Sequence, residues 1–113
     1  MSYDVYIGDF SANYTFNVSN LFYDHIEDMG NGGGLNEIDN KTGSEVAGIL
    51  AKAFDRIYET KNSMWSHDEI GERAFCAKYD APNGWGSAVG GIVFLARIMA
   101  AAASNPEEIM RVC

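Results

Sequence analysis

The segment at residues 88–104 is apolar on almost every side when it is drawn as a helix. Ser87 precedes it with a side chain preferred at helix N-caps, and Arg97 is its single charged residue. Its large apolar residues are Val89, Ile92, Val93, Phe94, Leu95, Ile98 and Met99. They surround nearly the whole circumference, which is typical of a helix buried on most sides. It is therefore predicted to be the most buried helix of the chain.

A second long helix is predicted over residues 43–60. Thr42 and Glu45 have the spacing of a capping box, in which each residue caps the other at a helix start. An apolar stripe at helical spacing follows, made of Val46, Ile49, Leu50, Ala53, Phe54, Ile57 and Tyr58. Charged residues fall mostly on the opposite side, so this helix packs through one face.

Two further helices are predicted with weaker patterns. The first covers residues 20–29 with Ser19 as its N-cap, and the second covers residues 67–78 after a capping box that begins at Ser66. Gly71 weakens the second helix by about 1 kcal/mol relative to alanine. Between them, residues 30–34 contain four glycines, which predict a flexible loop or a helix C-cap rather than a packed element.

Strands are predicted at both ends of the sequence. Residues 3–7 alternate between apolar and polar side chains, residues 13–17 repeat the alternation, and residues 109–112 form a final strand paired with the first. The predicted fold class is α+β, with a small antiparallel sheet from the N- and C-terminal segments packed against three to four helices. Its length of 113 residues fits a single domain spanning residues 1–113.

The charge balance excludes one class of partner. The chain has 16 acidic and 8 basic residues and a formal net charge of −8. Binding of long nucleic acid through its phosphates needs a basic face, so this class is disfavoured. A small anion can still bind an acidic domain where a few basic groups converge in one pocket, and a basic protein surface remains an open partner.

The sequence features that report on location predict a cytoplasmic protein. Cys76 and Cys113 are the only cysteines, too few for a disulfide framework, which favours a reducing compartment. The first residues lack the basic and apolar regions of a signal peptide. The most apolar stretch, residues 91–103, is too short to cross a bilayer, so no membrane partner is expected.

Known catalytic and metal-binding patterns are not found in the sequence. His25 and His67 are the only histidines, and neither lies in a zinc-binding spacing or beside a nucleophile motif. His25 falls on the apolar stripe of its predicted helix, which indicates a buried histidine with satisfied hydrogen bonds. We therefore expect no cofactor, no metal and no enzymatic activity.

Two short segments together have the composition of a ligand-binding site. Residues 13–17 alternate amides, a hydroxyl and aromatic rings, and residues 83–87 place an indole between glycines at a helix N-terminus. Glycines let a ligand approach the backbone, and planar bases stack on aromatic rings. The predicted ligand-binding residues are Asn13, Tyr14, Thr15, Asn17, Arg56, Asn83, Trp85 and Ser87. The alternative, in which Tyr14 and Trp85 belong to the core and the asparagines only shape turns, remains open.

The same segments resemble a family of small, mostly hypothetical proteins of bacteriophages and their bacterial hosts. The resemblance lies in the head, residues 7–19 with N-Y-T-F-N-V-S, in Gly34-Leu35, in P-N-G-W-G-S at residues 82–87, and in the tail from Asn105. It covers most of the chain, apart from the glycine-rich residues 30–34 and the stretch 62–73.

The resemblance implies a phage protein that counters host antiviral defence in the cytoplasm of the infected bacterium. The leading hypothesis is a non-enzymatic sponge that sequesters a nucleotide-derived immune signal. One alternative is an anti-CRISPR type inhibitor that binds a Cas effector through its acidic surface, and another is a small nucleotide-processing enzyme. A homo-oligomer is also predicted, because helix 88–104 is too apolar for a chain this short to cover.

Overall fold

Three antiparallel strands form one sheet with the order β2-β1-β3. They are β1 (Ser2–Ile7), β2 (Phe10–Thr15) and β3 (Arg111–Val112). This computed structural model describes residues 2–64 and 68–113. Together with four α-helices, the sheet confirms the predicted α+β class, including the pairing of the first strand with the last.

Strand β2 begins and ends earlier than predicted, at residues 10–15 rather than 13–17. A two-residue turn after β1 pairs Ile7 with Phe10 and thereby fixes the register of the whole hairpin. The chain then leaves the sheet, because the Thr15 hydroxyl accepts the Asn17 N–H at 3.2 Å and starts a 3-10 turn at Phe16–Val18. The predicted strand therefore shares residues 13–15 with β2, but it begins three residues too late and ends two residues too late.

The four helices are α1 (Ser19–His25), α2 (Gly43–Met64), α3 (Asp68–Tyr79) and α4 (Ala88–Ser104). Helix α4 has the predicted bounds, whereas α2 continues to residue 64 rather than 60. Helix α3 ends one residue later than predicted. The proposed capping box at Ser66 begins outside the described residues.

Both strong capping predictions are confirmed. The Ser87 hydroxyl accepts the Gly90 N–H at 2.9 Å at the start of α4. At the start of α2, the Glu45 N–H donates to the Thr42 hydroxyl and the Thr42 N–H donates to the Glu45 carboxylate, both at 3.3 Å. These bonds satisfy backbone donors that have no partner inside the helix.

Helix α1 is shorter than predicted and lacks the predicted cap. The 3-10 turn runs directly into it, so Ser19 is its first residue and Val18 occupies the N-cap without a side-chain hydrogen bond. The helix stops after His25 because Ile26 is extended, with φ −90° and ψ 128°. The predicted extension to Met29 is therefore wrong, and Met29 instead belongs to the next loop.

The glycine-rich loop is packed, contrary to prediction, and it surrounds the buried carboxylate of Glu37. One carboxylate oxygen accepts the Met29 N–H at 2.8 Å and the Asn31 side-chain amide at 3.3 Å. The other accepts the N–H groups of Asn31 at 3.0 Å and Gly33 at 2.7 Å. Gly33 and Gly34 have positive φ values of 78° and 59°, which glycine adopts without strain.

An unpredicted 3-10 turn, Gly34–Ile38, anchors this loop to the core through buried Leu35 and Ile38. Burial by itself raises the pKa of Glu37, but the hydrogen bonds from Gly33, Met29 and Asn31 outweigh burial and hold its pKa below the usual value. Glu37 is therefore ionised inside the protein, where four donors replace its water.

Helix α4 is covered on its inner side and open on its outer side. Gly91 lies where a Cβ atom would come within 2.7 Å of the Leu21 side chain, so α1 and α4 are in close contact. Phe94 is buried against Phe22, with ring centroids 6.1 Å apart. On the outer side, Val89 is 54% exposed, so the predicted cover on most sides is only partly present.

Replacement of Glu37 by glutamine is expected to lower the free energy of unfolding. The glutamine amide would turn an NH₂ group toward backbone donors in either orientation, leaving buried N–H groups unpaired. The expected loss is about 1–3 kcal/mol, measured by urea denaturation. Glu108→Gln is the control, because Glu108 is exposed, and it should change stability by less than about 0.5 kcal/mol.

The same variant should alter the acid limb of the stability curve. Because the folded-state pKa of Glu37 is depressed, its contribution is complete above the unfolded-state value of about 4.3 and is lost as pH falls through the folded value. Wild type should therefore lose stability faster than Glu37→Gln below about pH 4. Parallel curves for both proteins would contradict a buried, ionised carboxylate.

Candidate functional site

The two segments nominated from the sequence lie against each other. The loop before α4 packs on the end of β2 and on the following 3-10 turn. At Gly86 a Cβ atom would collide with the Thr15 side chain, and at Gly90 with the Tyr14 hydroxyl. Small residues at both positions are thus required for the approach of the two segments.

Most polar groups of these segments bond to each other. The Tyr14 hydroxyl accepts the Ser87 N–H at 2.9 Å and donates to the Ser87 carbonyl at 3.3 Å. The Asn17 side-chain amide donates to the Trp85 carbonyl at 3.1 Å, and the Asn83 side chain accepts the Trp85 N–H at 3.0 Å. The groups expected to recognise a ligand therefore hold the loop in one conformation.

The Trp85 side chain is presented outward by this rigid loop and is 73% exposed. The interpretation of Trp85 as a core residue is therefore wrong. Tyr14 is half-buried and stacks on Phe94 with a centroid distance of 5.7 Å, so it combines core packing with the hydrogen bonds to Ser87. An exposed indole on an ordered loop is a feature of contact surfaces.

Asn13 and Arg56 lie away from the Trp85 loop. Asn13 borders an open cavity of about 310 Å³ beside β1, whose other lining residues include Tyr6 and Arg97. Arg56 lies on α2, where its positive charge helps to lower the pKa of His25 after the larger effect of burial. Of the eight predicted site residues, Asn13 and Arg56 therefore lie apart, and the others lie where residues 14–17 meet residues 83–87.

A larger open cavity, of about 400 Å³, lies beside the first half of α2 and was not predicted. It is lined by Glu27, Met29, Lys41, Ser44, Glu45, Gly48, Ile49 and Lys52. Its volume is within the range of small-molecule sites. Met29 and Ile49 provide apolar surface, and Lys41 and Lys52 bring two of the chain's eight basic residues to one place.

The two carboxylates at this cavity differ in their partners. The hydrogen bonds from the Thr42 backbone and hydroxyl, together with nearby Lys41, lower the pKa of Glu45, whose carboxylate is thereby held in the capping box. Glu27 also lines the cavity and is exposed. The cavity therefore presents two ammonium groups and one uncommitted carboxylate around an apolar surface.

Sequence reasoning missed this cavity because its residues come from three separate segments. Met29 follows α1, Lys41 precedes α2, and Lys52 is two turns into α2. One signal was present: Lys41 precedes α2, Lys52 lies within it, and Gly48 between them interrupts an otherwise good helical sequence. A Cβ atom at Gly48 would meet nothing within 4 Å, so this glycine widens the opening.

His25 is buried with both ring nitrogens paired, as the sequence predicts. Nδ1 lies 2.7 Å from the Leu21 carbonyl oxygen, which can only accept, so Nδ1 carries the proton. Nε2 lies 2.9 Å from the Thr60 hydroxyl and accepts from it. Burial lowers the pKa of His25, and the rings of Phe75 and Tyr79 pack beside it, so the neutral ring acts as a packing element.

Two further searches within the described part of the chain concern metals and membranes. No group of three or more His, Cys, Asp or Glu residues there is placed to hold a metal ion. None of the helices in that part combines the length and apolar character required to cross a bilayer.

Substitutions of Tyr14 and Trp85 are expected to change the free energy of unfolding by different amounts. Tyr14→Phe keeps the ring but leaves the half-buried Ser87 N–H unpaired, so the free energy of unfolding should fall by about 1–2 kcal/mol. Trp85→Ala removes an exposed ring and should cost less than about 0.5 kcal/mol. Urea denaturation followed by far-ultraviolet circular dichroism measures both, and the reverse order would refute the described loop contact.

Comparison with known proteins adds no assignment. No protein-family model, curated protein or solved structure matches this chain. The resemblance to small phage proteins therefore stays a prediction, and the functional argument rests on the geometry of the described residues.

Proposed function

We propose that this chain is a non-enzymatic binding protein that sequesters a small nucleotide-type ligand. The observation that carries the proposal is the 400 Å³ cavity beside α2, where Lys41 and Lys52 meet the apolar surface of Met29 and Ile49. The convergence of two ammonium groups in one cavity supports binding of a small anion by an otherwise acidic domain.

Each part of the cavity matches one part of a nucleotide. The two ammonium groups suit phosphate oxygens, since charge-assisted hydrogen bonds are stronger than neutral ones. Met29 and Ile49 offer apolar contact to a planar base, and the free Glu27 carboxylate suits ribose hydroxyls or a base amino group. A ligand that combines anionic, apolar and hydrogen-donating parts fits this mixed lining better than a simple anion does.

The biological setting of the proposal comes from the phage-like sequence motifs. In that setting the ligand is a nucleotide-derived signal of host antiviral defence, and sequestration takes place in the cytoplasm of the infected bacterium. Sequestration needs tight binding without turnover of the ligand.

Titration calorimetry against cyclic di- and oligonucleotides and ADP-ribose derivatives tests the proposal. Gly48→Leu should abolish binding, because the new side chain enters the cavity while a Cβ atom at this position meets no other atom within 4 Å. Ala51→Leu is the matched control, since Ala51 is exposed on the same helix and does not line the cavity. It should leave affinity unchanged.

Lys52→Gln tests the charge contribution separately. Loss of one charge-assisted hydrogen bond should weaken binding about tenfold, whereas Lys78→Gln, which makes the same charge change away from the cavity, should have no effect. Absence of binding to every ligand in the set would refute the proposal. Binding that survives Gly48→Leu but is lost in Trp85→Ala would move the site to the Trp85 loop.

Two other readouts separate the alternatives. Co-purification of the chain with a nucleic-acid-guided effector, without nucleotide binding, would favour the inhibitor that acts through its acidic surface. Conversion of a bound nucleotide, detected by mass spectrometry, would favour the enzyme.

A further inference from the structure

The outer face of α4 has the residue spacing of a helix–helix contact surface. Val89 and Val93 are 54% and 52% exposed, and the exposed alanines Ala96, Ala100 and Ala103 continue the line. Successive members are separated by four, three, four and three residues, which is the spacing of a coiled-coil seam. We call these five residues the α4 seam.

The α4 seam lies in a region almost without charge. From residue 81 to residue 106 the one charged residue is Arg97, whose guanidinium group lies 5.7 Å from the centroid of the Phe10 ring. The whole chain has a formal net charge of −8, so two copies repel each other over most of their surfaces. Along the α4 seam this repulsion is weakest.

Side-chain size changes along the α4 seam in one direction. Its N-terminal end has Val89 and Val93, and Trp85, which is 73% exposed, lies just before the helix. The C-terminal end has only alanines. If two copies met in parallel, large residues would oppose large ones and the alanines would face a gap. In an antiparallel twofold arrangement each large residue opposes a small one, and each pair occurs twice, as the symmetry of an isologous interface requires.

We propose that the α4 seam binds a second copy of this chain in an antiparallel twofold dimer. In this arrangement Val89 faces the partner's Ala103, Val93 faces the partner's Ala100, and Ala96 lies on the twofold axis. The indole of Trp85 then covers the C-terminal end of the partner's α4. The alanines let the two helix backbones approach closely, and the indoles close both ends of the contact.

Two features favour a stable contact of this kind. Helix α4 has 17 residues and is therefore about 26 Å long. With a tryptophan at each end, two such faces approach the total of about 1,200 Å² at which specific interfaces begin. The Trp85 backbone is already fixed by Asn17 and Asn83, so little loop entropy is lost on binding.

The molar mass of the full chain in solution tests the dimer. Sedimentation equilibrium should give twice the 12.4 kDa monomer mass at protein concentrations of about 100 µM. Val93→Glu puts a charge on each copy near the centre of the α4 seam and should give the monomer mass with an unchanged far-ultraviolet circular dichroism spectrum. Tyr58→Glu is the control, because Tyr58 is 67% exposed on α2, and it should remain dimeric.

Cysteine cross-linking tests the direction of the helices. In a Cys113→Ser background, Val89→Cys chains mixed with Ala103→Cys chains should form a disulfide with each other under mild oxidation, and Val89→Cys chains alone should not. A monomeric wild type, a dimer that Val93→Glu does not dissociate, or cross-linking of Val89→Cys with itself would each overturn the proposal.

The α4 seam shares no residue with the cavity beside α2. Val93→Glu should therefore bind nucleotide as wild type does, and failure of either proposal leaves the other standing.

Discussion

Burial of the inner face of α4 is the constraint on which the rest of the structure depends. Leu21 of α1 fits against Gly91, Phe94 lies between Tyr14 of β2 and Phe22 of α1, and α2 packs along the same helix. Each contact removes apolar surface from water, which is the main favourable contribution to folding. The sheet, α1 and α2 are thereby brought together around one helix, and both the Trp85 loop and the α4 seam owe their positions to it.

The parts of the fold that could be predicted are those with two agreeing local signals. Helices α2 and α4 each combine a cap with a long apolar pattern, and the structure has both. The early end of helix α1 and the packing of the glycine loop could not be predicted, and the geometry of the loop depends on the carboxylate of Glu37. In a sequence, a glutamate indicates a solvated position, and only the folded chain brings its backbone donors around it.

The candidate site shows the same division between local and long-range information. The sequence predicts that residues 13–17 and 83–87 form one site, because their glycines and aromatic residues indicate a close approach. The structure shows that the two segments are in contact. The sequence could not show that Tyr14 and Asn17 use their polar atoms within this contact. Nor could it show the cavity that joins Met29, Lys41 and Lys52, because proximity of three segments is a property of tertiary packing alone.

The pairing of β1 with β3 has a consequence for how the protein is made. Val5 pairs with Val112, so one edge of β1 has no strand partner until residues 111–112 have been synthesised. Contacts between such distant segments require loop closure at an entropic cost and slow the folding reaction. Before that pairing forms, β1 has one unpaired edge. An unpaired strand edge can pair with another chain and so favours aggregation. Pairing of β3 with β1 closes this edge.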